Sequence, residues 1–319
     1  MTDLRELWKG ITSAESVAIA FHVSPDGDAL GSSLALARIL RSMGIRAEVF
    51  SQDEVPESYL FMPDVDKVKS DSEEIFDLGI LMDCNALSRV GTVAHVIEAC
   101  PLHGCIDHHL PNETFGELRY VREKASSAVE VLMDILTANN VEYDDDTAKL
   151  LMTGLVTDTG VFRFSNVSAL TLRYAAALVD HGASAEPVVH YVYESRSLGA
   201  LKLQGYVLSN IKTACGGKIA WVALSKELLD SYGVGEGETS GVGDHIRKLK
   251  GCKAALFMRE TEKGKVKVSF RSREDFDVSR PANVLGGGGH VCASGCTLDM
   301  PIDEAEKVVV AEVARWMDS

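Results

Sequence analysis

The sequence predicts an α/β protein, with a doubly wound parallel sheet in an N-terminal domain and a second, smaller α+β domain after it. Short apolar runs alternate with helical patterns over residues 1–185, which is typical of a parallel sheet covered by helices. Residues 206–319 instead show strand-like runs separated by glycine-rich turns. The 319 residues are enough for two domains of ordinary size.

Five apolar runs predict the strands of the first sheet, because they are short, near-continuous and rich in Val, Ile and Leu. In chain order they are SVAIAFH from Ser16, RAEVF from Arg46, LGILMD from Leu78, GCID from Gly104 and the weaker LRYV from Leu118. Between the first two runs, apolar residues from Leu36 to Met43 recur at helical spacing, and Gly44 is a natural helix stop.

Three helical patterns follow this sheet. They lie in SSAVEVLMDILTANN, DDDTAKLLMTGLVTDTG and SALTLRYAAALVDHGA. The second begins with aspartates that can cap a helix, and the third ends in glycine. The helical pattern weakens over residues 186–205, which we interpret as a helical connector between the domains. KIAWVALS, KAALFMRE and KVKVSFRS then predict strands of the second domain.

Composition and charge exclude several classes of protein. No apolar run reaches the roughly 18 residues that a membrane span needs, and the acidic N-terminus does not resemble a secretory signal. Seven cysteines without a CxxC pair are expected in a reducing cytoplasm. The net charge of −15 has the wrong sign for gripping long duplex nucleic acid. A local cationic site for a short anionic ligand remains compatible with it.

Carboxylates and imidazoles gather where the predicted strands end, with one more aspartate at the end of a predicted helix. One such aspartate would ordinarily be a turn or capping residue, but recurrence at one sheet edge favours a ligand site. Mixed imidazole and carboxylate donors suit Mn²⁺ or Mg²⁺, with some preference for Mn²⁺. This number of donors would supply the ligands of two ions that lie about 3.5–4 Å apart and share a carboxylate. The donors are His22, Asp26, Asp28, Asp83, Asp107, His108 and Asp158.

Four of these segments also carry a family resemblance. In order and spacing, HVSPDGDALGS, MDC, IDHH and TDTGVFRFSN resemble the four motifs of the DHH phosphoesterase superfamily. SFRSR and VLGGGGHVCASG resemble its C-terminal DHHA1 domain, so the resemblance covers nearly the whole chain. A DHH domain joined to a DHHA1 domain with nothing else resembles the stand-alone group of nanoRNases and pAp phosphatases. It implies a metal-binding catalytic domain over residues 1–185 and a substrate-binding domain over residues 206–319.

The resemblance implies roles for individual residues of the first domain. His22 and Asp26 match ligands of one metal ion, and Asp83 matches the carboxylate that bridges to a second ion. The ligands matched to that second ion are Asp28, His108 and Asp158. Asp107 would orient a ligand or a water, and His109 would face the scissile phosphate. The implied catalytic residues are therefore Asp83, Asp107 and His109.

In the second domain, the resemblance implies a surface that holds the terminal phosphate or nucleotide of the substrate. Its matching residues are Arg271, Ser272, Arg273, Gly288, Gly289 and His290. Arginine forks bind phosphate at two points, and glycine lets backbone N–H groups approach an anion. The sequence departs from relatives at Val291 and Cys292, where more polar residues are common, and this leaves the fine substrate preference open.

The expected function is a cytoplasmic two-metal phosphoesterase, with Mn²⁺ preferred and Mg²⁺ also suitable. It would hydrolyse short oligoribonucleotides to mononucleotides and dephosphorylate 3′-phosphoadenosine 5′-phosphate (pAp). One alternative is a phosphodiesterase for cyclic dinucleotides or their linear products. Another is an inactive nucleotide-binding regulator, which would have lost metal ligands that this chain retains. We expect no long duplex or membrane partner, and the sequence leaves a homodimer open.

Overall fold

The computed structural model describes residues 3–110, 115–235, 237–239, 241–261, 264–273 and 276–317, without the side chain of His290. The chain folds as two compact units, residues 1–195 and 196–319. The predicted connector is therefore divided between the two units. Within these described ranges, no helix has the length and apolar character needed to cross a membrane.

The first unit contains a five-stranded parallel sheet, which confirms the predicted fold class. The strands lie in the order β2-β1-β3-β4-β5. Their bounds are β1 Ser16–Ala20, β2 Arg46–Phe50, β3 Leu78–Met82, β4 Leu102–Asp107 and β5 Leu118–Val121. Val17 pairs with Ala47 of β2 on one side and with Leu78 of β3 on the other. The strand order thus reverses between β1 and β3, and ligands of open α/β sheets bind at such a switch point.

Helices cover both faces of this sheet. The helices are α1 Leu4–Thr12, α2 Gly27–Ser42, α3 Ala94–Glu98, α4 Ala128–Ala138, α5 Asp145–Asp158, α6 Ala169–Asp180 and α7 Glu186–Val188. Short 3₁₀ turns occupy Glu57–Tyr59, Val65–Lys67, Leu87–Arg89 and Gly91–Val93, and Val189–Glu194 is a π-helix. Along β1, Val17 and Ile19 belong to one buried cluster, whereas Ala18 and Ala20 belong to another. This alternation shows that both sheet faces are buried.

Two glycines let α2 and α5 pack very closely. A Cβ atom on Gly31 would lie 2.5 Å from the carbonyl oxygen of Leu150. A Cβ atom on Gly154 would lie 2.8 Å from Oδ1 of Asp28. The start of α2 also meets the end of α5, since a Cβ atom on Gly27 would lie 2.6 Å from the side chain of Thr157. This contact brings the first turn of α2 to the end of α5.

The second unit is a six-stranded mixed sheet in the order β10-β11-β9-β8-β7-β6. Its strands are β6 Lys212–Ala214, β7 Ile219–Leu224, β8 Ala254–Glu260, β9 Val266–Ser272, β10 Gly288–His290 and β11 Ala293–Leu298. Its helices are α8 Leu198–Ser209, α9 Lys226–Ser231, α10 Val242–Ile246, α11 Ser279–Val284 and α12 Ile302–Arg315, with 3₁₀ turns at Cys215–Gly217 and Gly237–Thr239. Only β7 and β8 pair in parallel among these strands of the described ranges, as an α+β domain requires.

The glycine run before His290 is more than a turn, because Gly288 and Gly289 form part of β10 and pair with β11. The strands approach so closely that a Cβ atom on Gly287 would lie 2.0 Å from the carbonyl oxygen of Gly295. Gly289 also has φ 137°, a conformation that favours glycine. Close strand packing therefore requires glycine here, whether or not a ligand binds.

Candidate active site

His22 lies just after β1, and a backbone contact sets the direction of its ring. Its Nδ1 donates to the carbonyl oxygen of Val23 at 2.9 Å. Because that carbonyl can only accept, Nε2 carries the lone pair in the neutral imidazole. Nε2 faces Asp83 Oδ2 at 3.4 Å and Asp26 Oδ2 at 3.8 Å. The lone pair of His22 therefore points at two carboxylates.

Asp26 and Asp28 are held by two different helix starts. Asp26 caps α2, because its Oδ1 accepts from the backbone N–H groups of Asp28 and Ala29 at 3.1 and 3.0 Å. Its Oδ2 remains on the His22 side. Asp28 lies in the first turn of α2 and is fully buried. Its two oxygens accept from the backbone N–H groups of Ala128 at 2.5 Å and Val129 at 3.0 Å, where α4 begins.

Asp83 lies at the centre of the site, immediately after β3. Its backbone has φ 58°, an uncommon conformation outside glycine, and its N–H donates to Ile106 of β4. Oδ2 faces Nε2 of His22 at 3.4 Å, and Oδ1 faces Nε2 of His108 at 3.3 Å. Oδ1 is buried and makes no hydrogen bond within the part of the chain that the structure describes. The two oxygens of Asp83 therefore face different histidines.

His108 completes the other side of the cluster. Its Nδ1 donates to the carbonyl oxygen of Ala125 at 3.3 Å, as His22 does to its own neighbour. Nε2 lies 3.3 Å from Asp83, 3.3 Å from Asp158 and 3.8 Å from Asp28. Asp158 is the last residue of α5, so the close packing of α2 and α5 places it near Asp28.

Asp107 is fully buried and uses both oxygens internally. Oδ1 accepts from the backbone N–H of His108 at 2.8 Å, and from the N–H and Nδ1 of His109 at 3.2 and 2.8 Å. Oδ2 accepts from Asn85 Nδ2 at 2.7 Å, and Asn85 also donates to the carbonyl oxygen of Leu110. Burial would raise the pKa of Asp107, but the hydrogen bond from His109 holds it below its usual range. Asp107 thus orients His109.

The clustered carboxylates change the proton affinities of the site. Burial opposes protonation of His22 and His108, but Asp83 raises the pKa of His22 to about 9 and that of His108 to about 11. Burial, and then the charge of Asp83, raise the pKa of Asp28 well above its usual value. Burial, and then Asp28, do the same for Asp158. Without a cation, this much negative charge is compensated by bound protons.

The donor set fits divalent cations. Among the residues that the structure describes, three groups have ligand atoms within 4.8 Å of one another: His22, Asp26 and Asp83; Asp28, His108 and Asp158; and Asp83, His108 and His109. Asp83 belongs to two of these groups. Oδ1 of Asp83 is buried and has no hydrogen bond among the described residues. The Nε2 atoms of His22 and His108 point into the site, while backbone carbonyls hold their Nδ1 atoms. Metal-binding histidines in proteins are commonly held in this way. The predicted ligands are therefore brought together, and their assignment to particular ions stays a prediction.

The predicted phosphate surface of the second unit is only partly open. Arg271, on β9, is half-buried against Gly243 and donates to the carbonyl oxygen of Phe270 at 3.0 Å. Ser272 is buried, and its hydroxyl donates to the carbonyl oxygen of Val291 at 3.2 Å. The Ser272 hydroxyl thus serves the fold in this structure.

Arg273 follows β9 and is exposed. Gly288 and Gly289 lie in β10 opposite β11, and the backbone of His290 pairs with Ala293. The side chain of His290 lies outside what the structure describes. Binding of substrate by this set remains a prediction.

Besides Asn85, two polar residues contact predicted site residues but were not predicted from the sequence. Asn166 donates to the carbonyl oxygens of Ser126 at 2.9 Å and Asp158 at 3.1 Å, and so ties the end of α5 to the segment before α4. Arg247 donates to the carbonyl oxygen of Ser272 at 3.0 Å and adds a third arginine to the surface in the second unit. Asn166 ends the TDTGVFRFSN motif, which is the one sequence signal that could have identified it.

We expect Asn85→Ala to lower kcat about tenfold without loss of bound metal, a typical effect of removing a partner of an active-site residue. Asp107 Oδ2 would lose its donor, and His109 would lose its fixed orientation. The matched control is Asn139→Ala, because the Asn139 amide also donates two hydrogen bonds, both to backbone carbonyls, but lies at the far end of α4. Both variants should lose stability in urea. An equal kcat in both would contradict the orienting role of Asn85.

Comparison with known proteins follows the same division of the chain. The model described as "DHH family, N-terminal domain" matches residues 16–155, and that described as "DHHA1 domain" matches residues 207–319. A Thermus thermophilus protein named bifunctional oligoribonuclease and PAP phosphatase NrnA is 33% identical over 298 residues, which cover 93% of this chain and 89% of that protein.

Solved structures share the fold. An exopolyphosphatase-related protein from Bacteroides fragilis is 28% identical, with a TM-score of 0.92, over 98% of this chain and 96% of that chain. RecJ from Thermus thermophilus, solved in complex with Mn²⁺, is 15% identical with a TM-score of 0.57, over 98% of this chain and 54% of that chain. At that identity RecJ supports the fold alone.

Proposed function

The chain belongs to the DHH family and is a phosphoesterase, and from this premise we propose that its substrates are short oligoribonucleotides and pAp. The name of the Thermus relative supports these substrates. The observation that carries the chemistry is Asp83, whose two oxygens face His22 and His108 from opposite sides. The proposed products are mononucleotides, and we place the activity in the cytoplasm because of the cysteine composition.

We propose that the site holds two divalent ions, with Mn²⁺ preferred because of its imidazole ligands. His22 and Asp26 would hold one ion, and Asp83 would be shared between the two. The second ion would be held by Asp28, His108 and Asp158. When bound, such ions activate a water and stabilise charge on phosphate oxygens.

The proposed role of His109 is proton transfer at the leaving oxygen. Its Nδ1 donates to Asp107 Oδ1 at 2.8 Å, so the buried carboxylate fixes the direction of the ring. In this role Nε2 would donate a proton to the oxygen that leaves the phosphorus. Asp107 and Asn85 hold the His109 ring in one orientation, so the ring need not change rotamer before proton transfer.

The proposed role of Arg271 and Arg273 is to hold a phosphate or base other than the reacting group. Ser272, Gly288 and Gly289 would shape the backbone around these side chains, and we retain His290 as a proposed contact. Binding energy from this second contact would favour substrates that carry a phosphate or base in addition to the reacting group.

The test is a panel of substrates with Mn²⁺: pAp, a diribonucleotide, a pentaribonucleotide, a 24-mer and a cyclic dinucleotide. We expect kcat/KM to be highest for pAp and the shortest linear substrates and to fall steeply at the 24-mer. Preferential hydrolysis of the cyclic dinucleotide would replace the proposed substrates with that alternative. If metal-loaded protein hydrolysed none of these substrates, that result would contradict the proposed substrates and the phosphoesterase activity itself.

We expect Mn²⁺ affinity to fall as pH decreases from 8 to 6. The raised pKa values of His22 and His108 mean that both rings hold protons in the metal-free protein, so metal binding must release them. Affinity should fall about tenfold per pH unit for each proton displaced. Calorimetric titration in two buffers of different ionisation enthalpy measures the protons released. Binding heats that are independent of buffer would contradict this linkage.

We expect Arg271→Ala to lower kcat/KM for pAp and dinucleotides about ten- to hundredfold, the effect of losing one charged hydrogen bond. Hydrolysis of a small aryl phosphodiester, which has no second group to hold, should barely change. The matched control is Lys267→Ala, four residues earlier on the same face of β9. A proportional loss on both substrates would show that Arg271 acts at the reacting phosphate or in folding.

A further inference from the structure

Two short segments of the first unit carry an aromatic platform that none of the roles above uses. The platform consists of Phe61, after the 3₁₀ turn Glu57–Tyr59, and His190 and Tyr191 of the π-helix. Phe61 and Tyr191 stack with ring centroids 4.9 Å apart and an interplanar angle of 14°. His190 meets Tyr191 edge-on, at 4.8 Å and 75°.

The platform is rigid on one side and open on the other. Phe61 packs against the main hydrophobic core of the unit, so its ring is fixed. Tyr191 stacks on that ring and is still 45% exposed. Leu60, next to Phe61, is 59% exposed. Packing against the core therefore explains the position of Phe61, but it does not explain why the Tyr191 ring is exposed.

Each segment of the platform also reaches the candidate active site. Two residues after Tyr191, the Tyr193 hydroxyl donates to the carbonyl oxygen of Thr157 at 3.4 Å, one residue before a predicted metal ligand. Two residues before Phe61, the buried Tyr59 phenol lies close to the backbone of Gly27, where α2 begins. Both segments that carry the platform therefore contact helices that bear predicted metal ligands, α2 and α5.

The backbone of the second segment is itself unusual. Val189–Glu194 forms a π-helix, a conformation that is rare and is frequently found at functional sites. The wider turn changes the directions of its side chains relative to an α-helix. In this segment it combines an inward tyrosine, at Tyr193, with an outward tyrosine, at Tyr191.

We propose that the aromatic platform is a nucleobase-binding site, on which one base of a short nucleic acid stacks against Tyr191 beside the reacting phosphate. The proposal rests on the proposed function and deepens it. Exposed, fixed aromatic rings bind single-stranded bases because every base has a π-face, with little dependence on sequence. A ring already stacked on Phe61 loses little freedom when a base is added. The platform would therefore favour substrates with an unpaired base and tolerate any base.

The test uses the Mn²⁺-loaded protein and 2-aminopurine riboside 5′-monophosphate, a fluorescent mononucleotide of the proposed product class. Stacking on an aromatic ring should quench its fluorescence. We expect quenching with wild type and with Tyr191→Phe, which keeps the ring. With Tyr191→Leu, quenching should be lost and Kd should rise about five- to hundredfold. The matched control, Tyr143→Leu, removes a tyrosine that stacks on His181 near the other end of α5, and should bind as wild type does.

A second measurement separates this proposal from the proposed function. KM for a diribonucleotide should rise in Tyr191→Leu, whereas KM for the same dinucleotide with an abasic terminal unit should match that of wild type. Equal Kd, quenching and KM in Tyr191→Leu and wild type would overturn the platform and leave the phosphoesterase untouched. The opposite result is also possible: the fluorescence could depend on Tyr191 while the protein cleaves no oligoribonucleotide. That result would support the platform and exclude the proposed substrates.

Discussion

Replacing Asp83 with asparagine should lower kcat/KM about a thousandfold or more on every substrate, with the fold intact. A thousandfold loss corresponds to about 4 kcal/mol of transition-state stabilisation. Asparagine keeps the shape of the side chain and tolerates the left-handed backbone at this position, but it offers only one oxygen and no charge. Since Asp83 faces both histidines, the change should weaken both proposed ions together. Bound manganese is measured by elemental analysis, and activity by release of phosphate from pAp and of mononucleotides from a diribonucleotide.

The matched control for that variant is Asp64→Asn. Asp64 is also an aspartate with a left-handed backbone, at φ 60°, but it pairs with Arg38 and Lys67 away from the cluster. It should retain its metal and most of its activity. If folded, metal-loaded Asp83→Asn turned over at a rate near that of Asp64→Asn, Asp83 would not be the bridging residue.

The second large effect should separate the two adjacent histidines. His108→Ala should lower the bound metal, because Nε2 of His108 faces three carboxylates. His109→Ala should keep both ions and lose about a hundred- to ten-thousandfold in kcat, the usual contribution of a positioned proton donor. Metal content and kcat, measured on the same preparations, distinguish the two roles.

The structure makes this comparison necessary, because His109 also lies within ligand distance of Asp83 and His108. Equal loss of metal from both variants would mean that His109 is a ligand, and its assigned role would have to change. His95→Ala is a suitable control, since His95 is exposed and paired with Asp71 outside the cluster. That variant should keep both metal and turnover.

The first sheet could be predicted from the sequence because its strands are buried on both faces. Each strand is therefore a short apolar run, and the polar residue after it is conspicuous. The switch point between β1 and β3 then brings together His22 and Asp83, which are 61 positions apart. Since the carboxyl ends of parallel strands share one edge, the clustering of the predicted ligands followed from strand order.

Other features depend on contacts that leave no local pattern. Asp28 was expected just past a strand, but it lies inside α2 and is held by amides a hundred residues later. Asn85 contacts Asp107 across 22 positions, and nothing in its own neighbourhood marks it. In the second unit, β11 contains glycine, serine and cysteine rather than an apolar run, so it was not predicted. Only the folded chain reveals which of these polar groups meet.

The close packing of α2 and α5 also limits how the protein could be made more heat-resistant. Replacing a helix glycine with alanine ordinarily stabilises a helix by about 1 kcal/mol, and it is a common engineering step. At Gly31 and Gly154 a methyl group would meet a backbone carbonyl and a carboxylate that the proposed chemistry needs. The two helices that carry Asp28 and Asp158 are therefore poor places to gain thermal tolerance. Such changes belong on elements outside this contact, such as the solvent face of α12.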